Sequence, residues 1–207
     1  MRLTSPNQLT ILRILLTPVF IVFFLLGGTT NILIASIVYL IASITDWYDG
    51  YMARKLHMIT RWGQFMDPLA DKLLVSSALI VFAYEHYLYW WMVALVILRD
   101  FVVTGLRSFA LYIGKPIITS NLAKWKTFVQ MGFIFILLIY INIPNLPEIR
   151  INSVDHPYLL WTTWVMLIVV ALTVISGTQY LIVNRSHVSE LAKRTYSAIV
   201  HCFEKEK

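Results

Sequence analysis

One cysteine, Cys202, is the whole thiol inventory of this chain. An internal disulfide and any paired-thiol metal or redox motif are thereby excluded. With no second thiol to react with, Cys202 reads as an ordinary surface residue. Charge is scarce as well. Asp, Glu, Lys and Arg make up 14% of the sequence, against roughly 25% in an ordinary soluble domain. Acids are the rarer sign, 11 against 17 Lys and Arg, so the formal net charge is +6. The apolar stretches lack period-two alternation, which argues against membrane strands. No internal repeat or low-complexity tract is found.

Apolar residues are what the chain has in abundance, at 58% of 207 residues. Such a chain must be solvated by lipid or by itself. Six continuous apolar stretches stand out, at approximately 9–27, 31–54, 64–84, 88–112, 121–143 and 158–183. Each is long enough for a helix across a hydrocarbon core about 30 Å thick. The predicted fold class is all-α, a polytopic membrane bundle of six transmembrane helices. Residues 1–185 form the transmembrane domain and 186–207 a cytoplasmic basic tail.

The first run is interrupted by Arg13 and ends in Gly27-Gly28 without a small-x-small cleavage pattern. It reads as a retained span rather than a signal peptide. Ser5-Pro6 suits a helix start, and the segment before Arg13 is expected as a short N-terminal interfacial helix. Basic residues concentrate in alternate loops: Arg54, Lys55 and Arg61; Lys115, Lys124 and Lys126; then Arg185, Lys193, Arg194, Lys205 and Lys207. The intervening turns carry only Arg150. This asymmetry places both termini in the cytoplasm. It also makes the lipid headgroup layer, rather than nucleic acid, the partner of the positive charge. Tyr84, Tyr87, Tyr89, Trp90 and Trp91 read as an interfacial aromatic belt. The tail over 186–203 fits either a surface-lying amphipathic helix or a solvated segment.

The acids do not follow the loops. Asp46 and Asp49, three residues apart, share a face at the cytoplasmic end of the second span. Gly50 and Ala53 beside them have almost no side chain, so a ligand can approach the backbone there. Asp67 and Asp71, four apart, share a face at the start of the third span. The short connection makes these two helices expected antiparallel neighbours, with all four carboxylates in one layer. An acid deep in a span costs about 2.5–3.5 kcal/mol, and four facing acids repel one another. A cation relieves both costs. Oxygen donors without His or Cys select a hard ion, Mg²⁺ or Mn²⁺, over zinc, and such an ion completes its shell with substrate phosphate oxygens. Two ions suit four carboxylates better than one. A buried network that only specifies helix packing is the structural alternative.

Asp46-x2-Asp49-Gly50-x2-Ala53-Arg54-x8-Gly63-x3-Asp67-x3-Asp71 resembles the signature of the CDP-alcohol phosphotransferases, matching at eight fixed positions over 26 residues. The resemblance implies that a CDP-linked lipid or alcohol donates its phosphate-bearing part to a hydroxyl, with CMP leaving. It implies Asp46, Asp49 and Asp67 as metal ligands, with Asp71 as general base and further ligand. By the same resemblance Gly50 and Ala53 make room for cytidine, and Arg54 and Thr60 hold its phosphates or ribose. Asn7 and Thr10 resemble an N-terminal element closing over the nucleotide, with simple helix capping as the alternative.

A second set of charges lies in the fourth and fifth spans. Arg99 and Arg107 are eight residues apart, roughly on one face, and Lys124 and Lys126 open the fifth span. Such cations beside a metal site suit an acceptor bearing its own phosphate; snorkelling toward headgroups is the alternative. Arg99-Asp100-x4-Gly105-Leu106-Arg107 with Lys124-x-Lys126-Thr127-x2-Gln130 is similar to bacterial phosphatidylglycerophosphate synthases, although Asp100 stands in place of a Glu and Ala123 in place of a Gly. This similarity implies CDP-diacylglycerol as donor, sn-glycerol 3-phosphate as acceptor, a homodimer, and a multi-pass protein of the bacterial cytoplasmic membrane with its site facing the cytoplasm. Inositol phosphate, serine or a phospholipid remain alternative acceptors. A membrane cation transporter is the alternative from another class.

Overall fold

The computed structural model describes residues 5–55, 61–112, 121–146, 149–153 and 155–183. Six long helices account for most of them: α1 (Ser5–Leu26), α2 (Thr29–Lys55), α3 (Arg61–Tyr84), α4 (Trp90–Tyr112), α5 (Asn121–Asn142) and α6 (Trp161–Val183). Two single 3₁₀ turns, Ile151–Ser153 and Pro157–Leu159, lie between α5 and α6. No strand occurs among the described residues. All six expected apolar stretches are helical. The tail from 184 onward and Thr60 lie outside the described residues. A separate N-terminal surface helix is not found among them, because the segment before Arg13 continues into α1 without a break.

Among the described residues, four helices are long and apolar enough to cross a membrane: Leu9–Leu26, Thr29–Asp46, Leu122–Asn142 and Trp161–Tyr180. α3 and α4 have the length, since 24 and 23 residues rise about 35 Å. They are less apolar because they carry the charges: Asp67, Asp71 and Lys72 in α3, and Arg99, Asp100 and Arg107 in α4. The outer surface is apolar along most helices, with Leu15, Ile44, Leu98, Phe128, Ile139 and Ile182 exposed. Helices saturate their own backbone, so such a surface is matched to hydrocarbon.

Glycine chemistry sets the first turn. Gly27 and Gly28 both take positive φ, 66° and 77°, a region costly for residues with a Cβ. The reversal is tight: the Gly27 N–H donates to the Phe24 carbonyl at 3.1 Å, and Asn31 Nδ2 donates to the Gly27 carbonyl at 2.9 Å. α1 therefore returns directly along α2. Among the described residues, α1 packs on both α2 and α3, while α2 and α3 touch each other only slightly. Among these residues α1 is the main neighbour of both. Small buried residues, Ala35 and Ala42 on α2 and Ala78 on α3, allow this close approach.

The centre of the bundle is a relay of rings. Phe20 lies 5.3 Å from Tyr39 and 5.8 Å from Phe24. Phe24 meets Phe82 edge-on at 5.6 Å, Tyr39 meets Phe135 at 5.7 Å, and Phe82 meets Tyr87 at 6.4 Å. These are preferred offset or edge geometries, and they tie α1, α2, α3 and α5 together. Tyr87 departs from the expected aromatic belt: it is buried, whereas Tyr84, Trp90 and Trp91 are exposed. The α5–α6 connection explains this. Arg150 reaches over it, 5.6 Å from the Tyr87 ring centre, and pairs with Glu85 at 3.1 Å. Ile151 N–H donates to the His86 carbonyl at 2.6 Å.

Phe82→Ala is expected to destabilise the bundle by about 3–5 kcal/mol, the usual cost of deleting a buried ring. Thermal unfolding in detergent checks this. An unchanged midpoint would contradict the ring relay.

Candidate active site

α2, α3, α4 and α5 converge on a cavity of about 580 Å³. Asp46 enters from α2, and Asp67, Pro68, Asp71 and Lys72 from α3. Thr104, Arg107 and Ser108 come from α4 and Thr127 from α5. The α3 spacing explains its share: Asp67 and Asp71 lie one turn apart on one face. Pro68 between them has no N–H to give the carbonyl at position 64. Thr104, Arg107 and Ser108 follow the same i, i+3, i+4 rule on α4. Three carboxylates and two cations thus share one space.

α1 braces the acids from behind. The Thr10 hydroxyl donates to Asp67 Oδ1 at 2.5 Å. Arg13 Nη1 lies 2.7 Å from Asp46 Oδ1, with the Arg13 side chain fully buried and Asp46 partly exposed. Arg13 interrupts the first apolar run, yet its partner could not be read from that run, because the contact depends on how α1 is rotated against α2. Asn7 lies in α1 and Asp49, Gly50, Ala53 and Arg54 lie in α2; their side chains are outside the described residues. Among the described residues, no three Asp, Glu, His or Cys side chains cluster tightly enough to hold an ion by themselves.

Cations expected beside the acids divide into two groups. Arg107 lines the cavity. Arg99 does not: its Nη2 donates to Ser176 on α6 at 2.9 Å and its Nη1 to Asp100 at 3.2 Å. Gly177 leaves room for it, since a Cβ there would sit 3.2 Å from Arg99 Cγ. Helix geometry accounts for the split, because eight residues advance a helix by about 80° beyond two full turns. Lys126 is fully buried and donates to Asp100 Oδ1 at 2.5 Å. Lys124 is exposed on α5. Spacing does not single out Lys72, adjacent to Asp71 in sequence. Its Nζ lies 3.6 Å from Asp71 Oδ2 and 3.5 Å from Asp100 Oδ2.

A membrane-embedded helical bundle with a carboxylate-lined, partly cationic cavity is suited to handling anionic phosphate groups in a bilayer. Residues 3–175 match the family described as CDP-alcohol phosphatidyltransferase. The chain belongs to that family, and it is an integral membrane enzyme of the phosphatidyltransferase class. It is 40% identical over 187 residues to the CDP-diacylglycerol–glycerol-3-phosphate 3-phosphatidyltransferase of Bacillus subtilis, covering 84% of this chain and 92% of that one. A protein with the same description from Yersinia enterocolitica is 38% identical over 143 residues, 67% of this chain and 78% of its own. One from Rickettsia typhi is 39% identical over 134 residues, 65% and 75% of the respective chains.

Thr10→Val keeps the shape of the side chain but removes the hydroxyl that holds Asp67. Loss of such a supporting partner is expected to lower turnover roughly 10–100-fold with helical circular dichroism unchanged. Wild-type turnover in this variant would remove Thr10 from the site.

Proposed function

We propose that the chain transfers the phosphatidyl group of CDP-diacylglycerol to a hydroxyl of sn-glycerol 3-phosphate, releasing CMP and forming phosphatidylglycerophosphate. The observation that carries this reading is the single cavity shared by Asp46, Asp67, Asp71, Lys72 and Arg107. Carboxylates suit a divalent cation that would neutralise the pyrophosphate of a CDP-lipid. Arg107 suits the phosphate of the acceptor, for which guanidinium offers paired donors. Serine as acceptor would leave that cation without a role. The similarity to the three bacterial phosphatidyltransferases supports the same pair of substrates.

The donor set fits a hard divalent cation. The cavity acids present only oxygen, and Mg²⁺ or Mn²⁺ normally takes one or two carboxylates plus water and substrate phosphates rather than an all-protein cage. Asp46, Asp49, Asp67 and Asp71 would hold the ions, two of which suit four carboxylates better than one. Bound there, they would neutralise charge on the pyrophosphate and on departing CMP. Asp71, at the cavity wall, takes the proton from the acceptor hydroxyl. The hydroxyl oxygen bonds to the lipid-side phosphorus as the bond from that phosphorus to the CMP oxygen breaks. Asn7, Thr10, Gly50, Ala53, Arg54 and Thr60 would form the cytidine side, and Arg99, Lys124 and Lys126 would add positive potential on the acceptor side.

All six helices span the bilayer in this reading, with both termini and the cavity on the cytoplasmic face of a bacterial membrane. The alternation of Lys and Arg among the loops supports that orientation. Residues 186–207 form a cytoplasmic tail, and the working unit is a homodimer.

Purified protein in mixed micelles with CDP-diacylglycerol and Mg²⁺ is expected to release CMP with glycerol 3-phosphate and not with serine. CMP release with inositol phosphate alone would reassign the acceptor. Asp71→Asn should keep CDP-lipid binding and lose turnover; full activity would sink its role as base. EDTA should abolish turnover and Mn²⁺ or Mg²⁺ restore it. Arg107→Ala should raise the KM for glycerol 3-phosphate about tenfold or more, the scale of a lost charge-assisted contact; an unchanged KM would remove Arg107 from the acceptor site.

A further inference from the structure

Asp100 does not line the cavity, yet it is heavily partnered. It is 2% exposed. Three cations from three helices surround it: Lys126 at 2.5 Å from α5, Arg99 at 3.2 Å from α4 itself and Lys72 at 3.5 Å from α3. One carboxylate facing three cations leaves a formal excess of two positive charges. Lys72 is the member that also reaches the cavity, where its Nζ lies 3.6 Å from Asp71 Oδ2. Its ammonium is therefore suspended between two carboxylates at nearly equal distance, one buried behind the wall and one in it. Neither distance is that of a tight hydrogen bond. The position of Nζ is thus set by the balance of two charges rather than by either contact alone.

We infer that Asp100 is a positioning residue for the transfer step, acting through Lys72 to fix the Asp71 carboxylate in the cavity. It rests on the reading of Asp71 as the acceptor's base. Lys126 and Arg99 anchor Asp100 from the far side. Each Asp100 oxygen has its own partners: Oδ1 takes Lys126 and Arg99, and Oδ2 faces Lys72. The carboxylate plane is pinned on one edge and presents the other to Lys72. Arg99 is itself tied to Ser176 on α6, so the chain of contacts runs from α6 through α4 to α3 and ends at Asp71. Removing the Asp100 charge would let Lys72 collapse onto Asp71 or swing into the cavity. Either movement spoils the geometry for taking a proton, because catalytic groups must be held within a fraction of an ångström. The effect belongs to the chemical step and not to acceptor capture, which is Arg107's part.

The test is a double-mutant cycle in mixed micelles with CDP-diacylglycerol, glycerol 3-phosphate and Mg²⁺, using wild type, Asp100→Asn, Lys72→Met and the double variant. Wild-type CMP release first establishes the reaction; its absence would defeat the proposed function and not this inference. Asp100→Asn and Lys72→Met are each expected to lower kcat roughly 10–100-fold, as loss of a supporting partner does, with the KM for glycerol 3-phosphate changed less than about threefold. The double variant is expected to be no slower than Lys72→Met. Multiplying losses, an unchanged kcat in Asp100→Asn, or an effect on KM alone would overturn the inference. Should Asp100→Asn not fold, as judged by circular dichroism and gel filtration, Asp100→Glu replaces it in the same cycle. That variant keeps the charge and shifts it by one methylene. It is expected to lower kcat when Lys72 is present and to change nothing in the Lys72→Met background; an equal loss in both backgrounds would overturn the inference as well.

Discussion

A carboxylate placed inside an apolar bundle must find a counter-charge, and this single constraint organises the structure around the cavity. Two acids meet it within the protein. Asp46 is held by the buried Arg13, and Asp100 by Lys126, Arg99 and Lys72. Breaking a fully buried pair such as Lys126–Asp100 typically costs about 3–5 kcal/mol because one charge is left alone. The Arg13–Asp46 pair, with Asp46 partly exposed, is screened and contributes less. The pairs therefore fix how α1 sits on α2 and how α3, α4 and α5 meet. Asp67 and Asp71 are less fully compensated: Asp67 accepts from the Thr10 hydroxyl and Asp71 faces Lys72 at 3.6 Å. Charge demand remains in the cavity.

The fold divides into two parts with different chemistry. The Phe20, Phe24, Tyr39 and Phe82 relay and the docked α5–α6 connection hold one part of the bundle by packing. The other part opens around acids and cations. Catalytic sites need groups that would not choose to be together, and a packed remainder can hold them there. The tight glycine turn after α1 serves the same end, since it returns the chain so that α1 can brace α2 and α3 at once.

Much of this was legible in the sequence because it is periodic or local. Helices follow from runs of apolar residues, and each observed helix begins and ends within a few residues of its run. Asp67 and Asp71 stand in one cavity because a spacing of four puts both on one face of α3, which holds wherever the helix goes, and Asp46 joins them from α2. What was not legible depends on rotation between helices. Arg99 and Lys126 carry the charge an acceptor site would want, but both turn to Asp100. Their spacing from Arg107 on α4, or their place on α5, says nothing about which neighbour lies opposite. Lys72 was hidden beside Asp71, and Arg13 looked like an interruption in a span. Tyr87 resembles its aromatic neighbours in sequence, and only the distant Arg150 above its ring sets it apart.

The central claim is that the α2 and α3 carboxylates form one divalent-cation site facing the lipid's pyrophosphate. Anomalous diffraction from crystals grown with Mn²⁺ and CDP-diacylglycerol tests it most directly. The account predicts anomalous peaks within the cavity, in coordination distance of Asp46, Asp67 or Asp71 and of the substrate's phosphate oxygens. Peaks confined to other parts of the bundle, or Mn²⁺-dependent turnover with no peak in the cavity, would contradict it.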